Sequence, residues 1–247
     1  MLVRIISFII SLFFITEVLA AMTIGGTRII FPGNQKEQSV RMNNKGKKPA
    51  LVQVWIDDGD LKADLNTVNL PFVITPPVFR VEPGKGQSVR LIYNGAALPA
   101  DRESVFWFNM LEVPPLHKEM ANVDRLELAF RTRIKLFYRP ASLLSSGTAQ
   151  VEKVQWELAE NKGINVTNPT AYYLSFDSAA LQNATRVSEL ETDMIAPFSR
   201  KFFPLKKGTI SGVTGASFRL INDYGSAYEG KLIPKNGKEL VLQGSFR

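Results

Sequence analysis

The sequence predicts an all-β protein built from two β-sandwich domains. Three observations carry this. Short runs of β-branched and aromatic residues alternate with turn residues along most of the chain. No stretch keeps a 3.6-residue apolar period for long. The turn signals are irregular but closely spaced, which suits a sandwich better than alternating strand–helix units. Composition agrees. The 247 residues are 45% apolar and 21% charged, enough for a sizeable core without covalent staples. With 17 glycines and 14 prolines the chain is not of low complexity.

The elements follow in order. Residues 1–20 read as a secretory leader: Arg4, an apolar run over 5–15, then Val18-Leu19-Ala20 before a cut. A membrane anchor is the competing reading, against which Glu17 and the shortness of the run both count. Strands are expected at 28–31, 39–42, 51–56, 88–93, 105–113 and 126–138, each closed by Pro, Gly, Asn or Asp. Residues 60–69 offer at most a turn or two of helix. A second series is expected at 151–158, 163–166, 172–176, 201–203, 217–221, 231–233 and 239–242. A boundary near Pro140 divides the exported chain into 21–140 and 141–247. Units of about 120 and about 107 residues have the size of an immunoglobulin-like sandwich.

The run 126–138 is the most informative. Leu126, Leu128, Phe130, Thr132, Ile134, Leu136 and Tyr138 share one parity. Glu127, Arg131, Arg133, Lys135 and Arg139 fall on the other. Side chains alternate faces along a strand, so one face is largely apolar and the other mostly charged. Thirteen residues is about twice the usual strand length. Two readings stand: a sandwich strand facing its own core, or an edge strand that offers its apolar row to another protein.

Residues 132–140, Thr-Arg-Ile-Lys-Leu-Phe-Tyr-Arg-Pro, resemble the signature of the periplasmic chaperones of bacterial pili, the chaperone/usher system. Other blocks agree in the same order: Thr27-Arg28-Ile29-Ile30-Phe31, Ile74-Thr75-Pro76-Pro77-Val78, Asp101-Arg102-Glu103-Ser104 with Phe108-Asn109, Pro114-Pro115, Asn168-Pro169-Thr170 with Tyr172-Tyr173, and Ile221-Asn222-Asp223-Tyr224-Gly225. The resemblance spans nearly the whole exported chain. It implies two immunoglobulin-like domains in an L-shaped or boomerang arrangement with a cleft between them. The short connection from Pro115 to Leu126, without flanking Cys, resembles the short-loop, PapD-like members.

The resemblance also implies a mechanism. Such a chaperone binds pilus subunits (pilins and the tip adhesin) by lending a strand to a sandwich that lacks one, then delivers them to the outer-membrane usher. Leu126, Leu128 and Phe130 match the groove-filling positions. Arg28 and Lys135 match the pair that anchors the subunit's terminal carboxylate. Anchoring one chain end fixes register, because a one-residue slip flips every side chain. Lys135 lies on the parity opposite to Phe130, so either a twist or bulge turns it toward the cleft or the carboxylate approaches from the edge. Glu103, Arg139 and Asp223 match a charge cluster tying the domains together; solvated charges of little energetic value are the alternative. Leu51, Gln53, Pro76, Pro77, Val78 and Val113 match usher-contact positions, with core packing as the alternative. The long apolar row also suits self-association of the free protein. Thr75-Pro76 is open to either peptide isomer. Residues 177–200 match little.

Other classes fit less well. The chain has no Cys and a single His, so thiol chemistry and multi-His metal sites are excluded and no metal or cofactor is expected. His117 follows Pro114-Pro115 and reads as an exposed loop residue. No phosphate loop, nucleophile elbow or dinucleotide fingerprint occurs. The net charge of +7 is scattered, with clusters only at 45–48, 200–201 and 206–207, so no nucleic-acid partner is expected. The expectation is a non-enzymatic periplasmic chaperone. The alternative is an exported β-sandwich binding protein or enzyme with an unidentified ligand.

Overall fold

The computed structural model describes residues 22–60, 70–113, 128–143 and 146–244. Leu126, Pro114, Pro115, His117, the leader and the span 61–69 lie outside the described residues. Nine strands form the first half: β1 Met22–Ile24, β2 Arg28–Pro32, β3 Glu37–Asn44, β4 Ala50–Asp57, β5 Phe72–Thr75, β6 Val78–Val81, β7 Gly86–Tyr93, β8 Ser104–Val113 and β9 Phe130–Arg139. They pair as a four-stranded sheet, β1-β3-β7-β5, and a five-stranded sheet, β2-β9-β8-β4-β6. Alternation decides which side chains meet between the sheets. Along β4, Ala50, Val52, Val54 and Ile56 are buried while Leu51 and Gln53 are exposed. An aromatic knot of Phe31, Phe72, Phe106, Tyr93 and Tyr138 holds one end of this core, with Tyr93 and Tyr138 ring centroids 4.8 Å apart.

The second half has nine strands: β10 Gln155–Ala159, β11 Gly163–Asn168, β12 Leu174–Gln182, β13 Val187–Glu189, β14 Met194–Ile195, β15 Ser199–Pro204, β16 Gly215–Ile221, β17 Ala227–Pro234 and β18 Glu239–Leu242. They share one hydrogen-bonded path, β13-β12-β16-β17-β18-β10-β11-β15, with β14 beside β12. Its separate core centres on Trp156 stacked against Phe218, centroids 4.9 Å apart, with Phe176 edge-on to both.

Several expectations are corrected. The strand read at 126–138 is β9, Phe130–Arg139; Leu128 is described and lies before it, outside any strand. Apolar alternation continued past the point where pairing with β8 begins, at Phe130↔Glu112. Residues 151–158 are not one strand: Gly147–Lys153 is a 3-10 helix capped by the Ser146 side chain, and β10 starts at Gln155. The unmatched stretch 177–200 holds most of β12 together with β13 and β14. Strands β1, β5 and β6 lie outside the expected set, being short and flanked by Gly or Pro. The Thr75-Pro76 peptide is cis.

The first strand changes sheets, and this positions the site. β1 pairs with β3, and the Gly25 N–H donates to Arg41 O at 3.0 Å. Through Gly25-Gly26 the chain crosses to the other sheet, where β2 runs parallel to β9 with Arg28 opposite Lys135. β2 therefore covers β9 only from Lys135 to Arg139. Over residues 130–134, β9 has β8 on one side and no strand on the other among the described residues.

Candidate functional site

β9 divides at Ile134. Ile134, Leu136 and Tyr138 point into their own core and are buried. Before them, Phe130 is 52% exposed and Leu128 55%. The two readings of the apolar row thus apply to different ends of it. The C-terminal end is core, and the N-terminal end presents apolar side chains beside an unpaired backbone edge.

The charged face of β9 lies against the second unit at one end. Its register with β8 is unbroken from Phe130 to Tyr138, so no bulge redirects Lys135. Lys135 lies on the face opposite the core, where its Nζ is 3.2 Å from Ser175 Oγ on β12. Arg28 Nη1 donates to Ile221 O at 3.0 Å, at the end of β16. Among the described residues neither cation forms an ion pair, and the buried Arg28 Nε has no hydrogen-bond partner. Their neighbours differ. Arg131 and Arg133 both reach Asp57, and Arg139 holds two carboxylates. Burial holds the Lys135 ammonium below the ordinary lysine range, and the adjacent Arg28 charge lowers it further. Burial likewise lowers Arg28, against the opposing pull of Asp223 and Glu103.

Beside this pair, Arg139 joins the halves of the molecule. Its Nε is 2.7 Å from Glu103 Oε1, and its Nη1 and Nη2 lie 2.8 and 3.0 Å from the two Asp223 oxygens. The fork of the guanidinium matches the Asp223 carboxylate oxygen for oxygen. Burial opposes the Arg139 charge, but Asp223 and Glu103 outweigh it and hold the group above its ordinary range. Glu103 is 3% exposed, and its second oxygen accepts the Tyr173 N–H at 2.8 Å. That amide is in place because Asn168 Nδ2 donates to Tyr172 O at 2.8 Å and to Ala196 O at 2.9 Å, fixing the loop. Asp223 is held by the Asn222 turn, whose Oδ1 accepts from Tyr224 N and Ser226 N. Gly225 closes the turn with φ +85°, and a Cβ there would lie 2.3 Å from Thr27 Oγ1, next to Arg28.

Leu51, Gln53, Val78 and Val113 lie on the outer face of the five-stranded sheet. Leu51 pairs with Val113 across to β8, and Gln53 with Val78 across to β6. Leu51, Val78 and Val113 are exposed, Pro77 is exposed and Pro76 half-buried. The core alternative for these positions is therefore not what the structure contains. Sequence reading missed Ser175, which carries no motif, and the role of the Ile221 carbonyl, although Ile221 opens the block that contains Asp223. It also missed Asp57: read as part of a turn, it ends β4 and is buried.

Two families match along the chain. Residues 21–144 match the pili and flagellar-assembly chaperone PapD N-terminal domain. Residues 149–232 match the pili assembly chaperone PapD C-terminal domain. The chain belongs to the PapD-like pilus-assembly chaperones. The probable fimbrial chaperone YadV of Escherichia coli (strain K12) is 42% identical over 232 residues, 90% of this chain and 94% of that one. The crystal structure of the YadV chaperone superposes with a TM-score of 0.72, covering 86% of this chain and 98% of that one. The Pseudomonas aeruginosa CupB2 chaperone is 39% identical with a TM-score of 0.73, covering 85% and 98%. The chaperone is thus a two-domain, all-β member of its family, and its half-covered β9 is the feature to be explained.

Proposed function

We propose that this chaperone binds pilus subunits by donor-strand complementation and hands them to the outer-membrane usher, working by binding alone and without a cofactor. One observation carries the reading: a strand edge that is unpaired among the described residues, with exposed apolar side chains, runs directly toward two cations that form no ion pair among those residues. A subunit lacking one strand exposes a groove and unpaired backbone groups. β9 supplies the ladder, and Leu128 and Phe130, preceded by Leu126, fill the groove. Burying three such side chains contributes on the order of 5–9 kcal/mol before ordering costs. The subunit's terminal carboxylate then meets Arg28 and Lys135. Two desolvated cations, neither in an ion pair among the described residues, form a strong anion site, since burial already strips them of water. With no bulge in the register, Lys135 keeps the face opposite the core and reaches toward the second domain, where the carboxylate would meet it.

The remaining assignments follow from this. Arg139, Glu103 and Asp223 hold the two domains at the angle that shapes the anchor. The exposed face at Leu51, Gln53, Pro76, Pro77, Val78 and Val113 is assigned to the usher. Residues 1–20 are assigned as a cleaved leader to the periplasm, 21–140 as the domain carrying the donor strand, and 141–247 as the second domain.

The test is a periplasmic pull-down of the tagged protein from its own host, beside an Arg28→Ala/Lys135→Ala double variant. The expected result is one or more smaller partners in equimolar complex with the wild type and absent from the folded variant. Partners retained on a folded variant would overturn the anchor. A wild type that captures nothing while its pilus genes are expressed would overturn the chaperoning mechanism.

A further inference from the structure

Beside the anchor lies a charged cluster that the reading above does not use. Asp57 closes β4 and is 3% exposed, yet it is a carboxylate on the outer face of a sheet. It accepts from Asn109 Nδ2 at 2.8 Å, from the Gly59 N–H at 2.9 Å, and from Arg131 and Arg133. Asn109 is itself fully buried, and its Oδ1 accepts from Arg131 Nε and Nη2 at 3.0 and 2.8 Å. Arg131 lies over the Trp55 ring at 5.0 Å and Arg133 over Trp107 at 4.1 Å. Trp55 faces Asn109 across β4 and β8, and Asn109 faces Arg133 across β8 and β9. The result is a polar tie across three strands, Asp57 to Asn109 to Arg131 and Arg133.

The tie ends on one part of β9 only. Arg131 and Arg133 lie within 130–134, the segment with a strand on one side. A strand with a single neighbour is the part of a sheet most prone to local opening. A docking edge that must be ordered on binding loses affinity to that ordering. The cluster meets both needs. It presses the charged row of β9 onto the chaperone's own sheet while Phe130 and the backbone edge of 130–134 stay open. Burial alone would push the Asp57 carboxyl up, but hydrogen bonds from Arg133, Asn109 and Gly59 outweigh it, so the group stays ionised well into acid.

We infer that Asp57 is a positioning residue for subunit capture, acting through Asn109, Arg131 and Arg133 to hold residues 130–134 of β9 extended before a subunit arrives. The capture part rests on the donor-strand reading; the ordering part is a property of the free protein and can be measured alone. The experiment is amide hydrogen exchange on the free full-length exported protein, wild type against Asp57→Asn, with an Asn109→Ser variant entering the tie from β8. The expected result is exchange about tenfold faster at the β8-bonded amides of 130–134, with 135–139 and the second domain unchanged. Trp107 emission should shift in Asp57→Asn, because Arg133 loses its carboxylate and leaves the ring. The inference is overturned if 130–134 exchanges as in the wild type, or if the whole first domain speeds up equally, which would mark Asp57 as an ordinary stability residue. Dissociation of the subunit recovered by the pull-down should then be faster from Asp57→Asn, with the anchor cations intact. Faster exchange with unchanged dissociation would overturn the capture role and leave the donor-strand reading in place.

Discussion

Lys135 and Arg28 are the residues on which electrostatics and function meet most directly. Each is buried deeply enough to lose much of its hydration, and neither has a carboxylate in contact among the described residues. The sign of the pH response follows. Binding a carboxylate favours protonated Lys135, so the complex takes up the proton that the free protein releases at a lowered pKa. Affinity should therefore be flat at pH values below the free Lys135 pKa. It should fall as pH rises through the free Lys135 pKa, which lies below the ordinary 10.5. Titration calorimetry with the recovered subunit from pH 7 to pH 11 checks this. A Lys135→Arg variant should keep its affinity to higher pH, since a guanidinium stays charged, and an equal alkaline fall in both would assign the loss to another group. These two residues were legible in the sequence only through their motif contexts; taken singly, a Lys or Arg says nothing. Their pairing with Ser175 and the Ile221 carbonyl was not legible, although Ile221 opens one of the matched blocks. Ser175 is brought to Lys135 from β12, 40 positions away, and the Ile221 carbonyl to Arg28 from β16, 193 positions away, by the packing of one domain on the other.

At the level of elements, alternation revealed β9 and its two faces but not where one role gives way to the other. The apolar parity is continuous from Leu126 to Tyr138, while the change at Ile134 is made by β2, which arrives from the other sheet and covers only the C-terminal half. A strand switch driven by two glycines leaves no periodic trace on the strand it uncovers. The same blindness explains Asp57: next to Asp58-Gly59 it has a turn's composition, and only the cross-strand neighbours make it a buried carboxylate. The division of β9 makes a prediction. Phe130→Ser should leave the free protein within about 0.5 kcal/mol of wild type, since the ring is half in water already. It should weaken the subunit complex by about 1.5–3 kcal/mol. Ile134→Ala, four residues on, should cost the free protein about 2–5 kcal/mol, because its side chain lies in the core. Denaturant midpoints beside complex lifetimes separate the two, and a Phe130→Ser protein that unfolds as readily as Ile134→Ala would place the whole strand in its own core.

For the whole molecule, the decisive fact is that two separate cores are joined by few strong contacts. The Arg139 fork is foremost among them. Glu103 belongs to the first domain and takes a backbone amide from the second; Asp223 belongs to the second and takes both ends of a first-domain guanidinium. Glu103 is nearly without water, so removing Arg139 strands a buried charge and should cost about 3–5 kcal/mol within the first domain itself. Asp223 is more open, and its removal leaves Arg139 on Glu103, so neither core loses a packing atom. Asp223→Asn should therefore act on the joint alone. Differential scanning calorimetry should show one unfolding transition for the wild type and two for Asp223→Asn, each close in enthalpy to that of a sandwich of its size. Gly225→Ala should approach the same behaviour by a steric route, because its Cβ would press on Thr27 and push the turn that carries Asp223 off the seam. Subunit binding should fall in both variants although Arg28 and Lys135 are untouched, since each cation draws its neighbour from the far side of that joint. If Asp223→Asn still unfolds in one transition and binds as the wild type, the angle between the domains is set elsewhere. The next contact to examine would then be Arg102 stacked 4.9 Å from the Phe198 ring across the same seam.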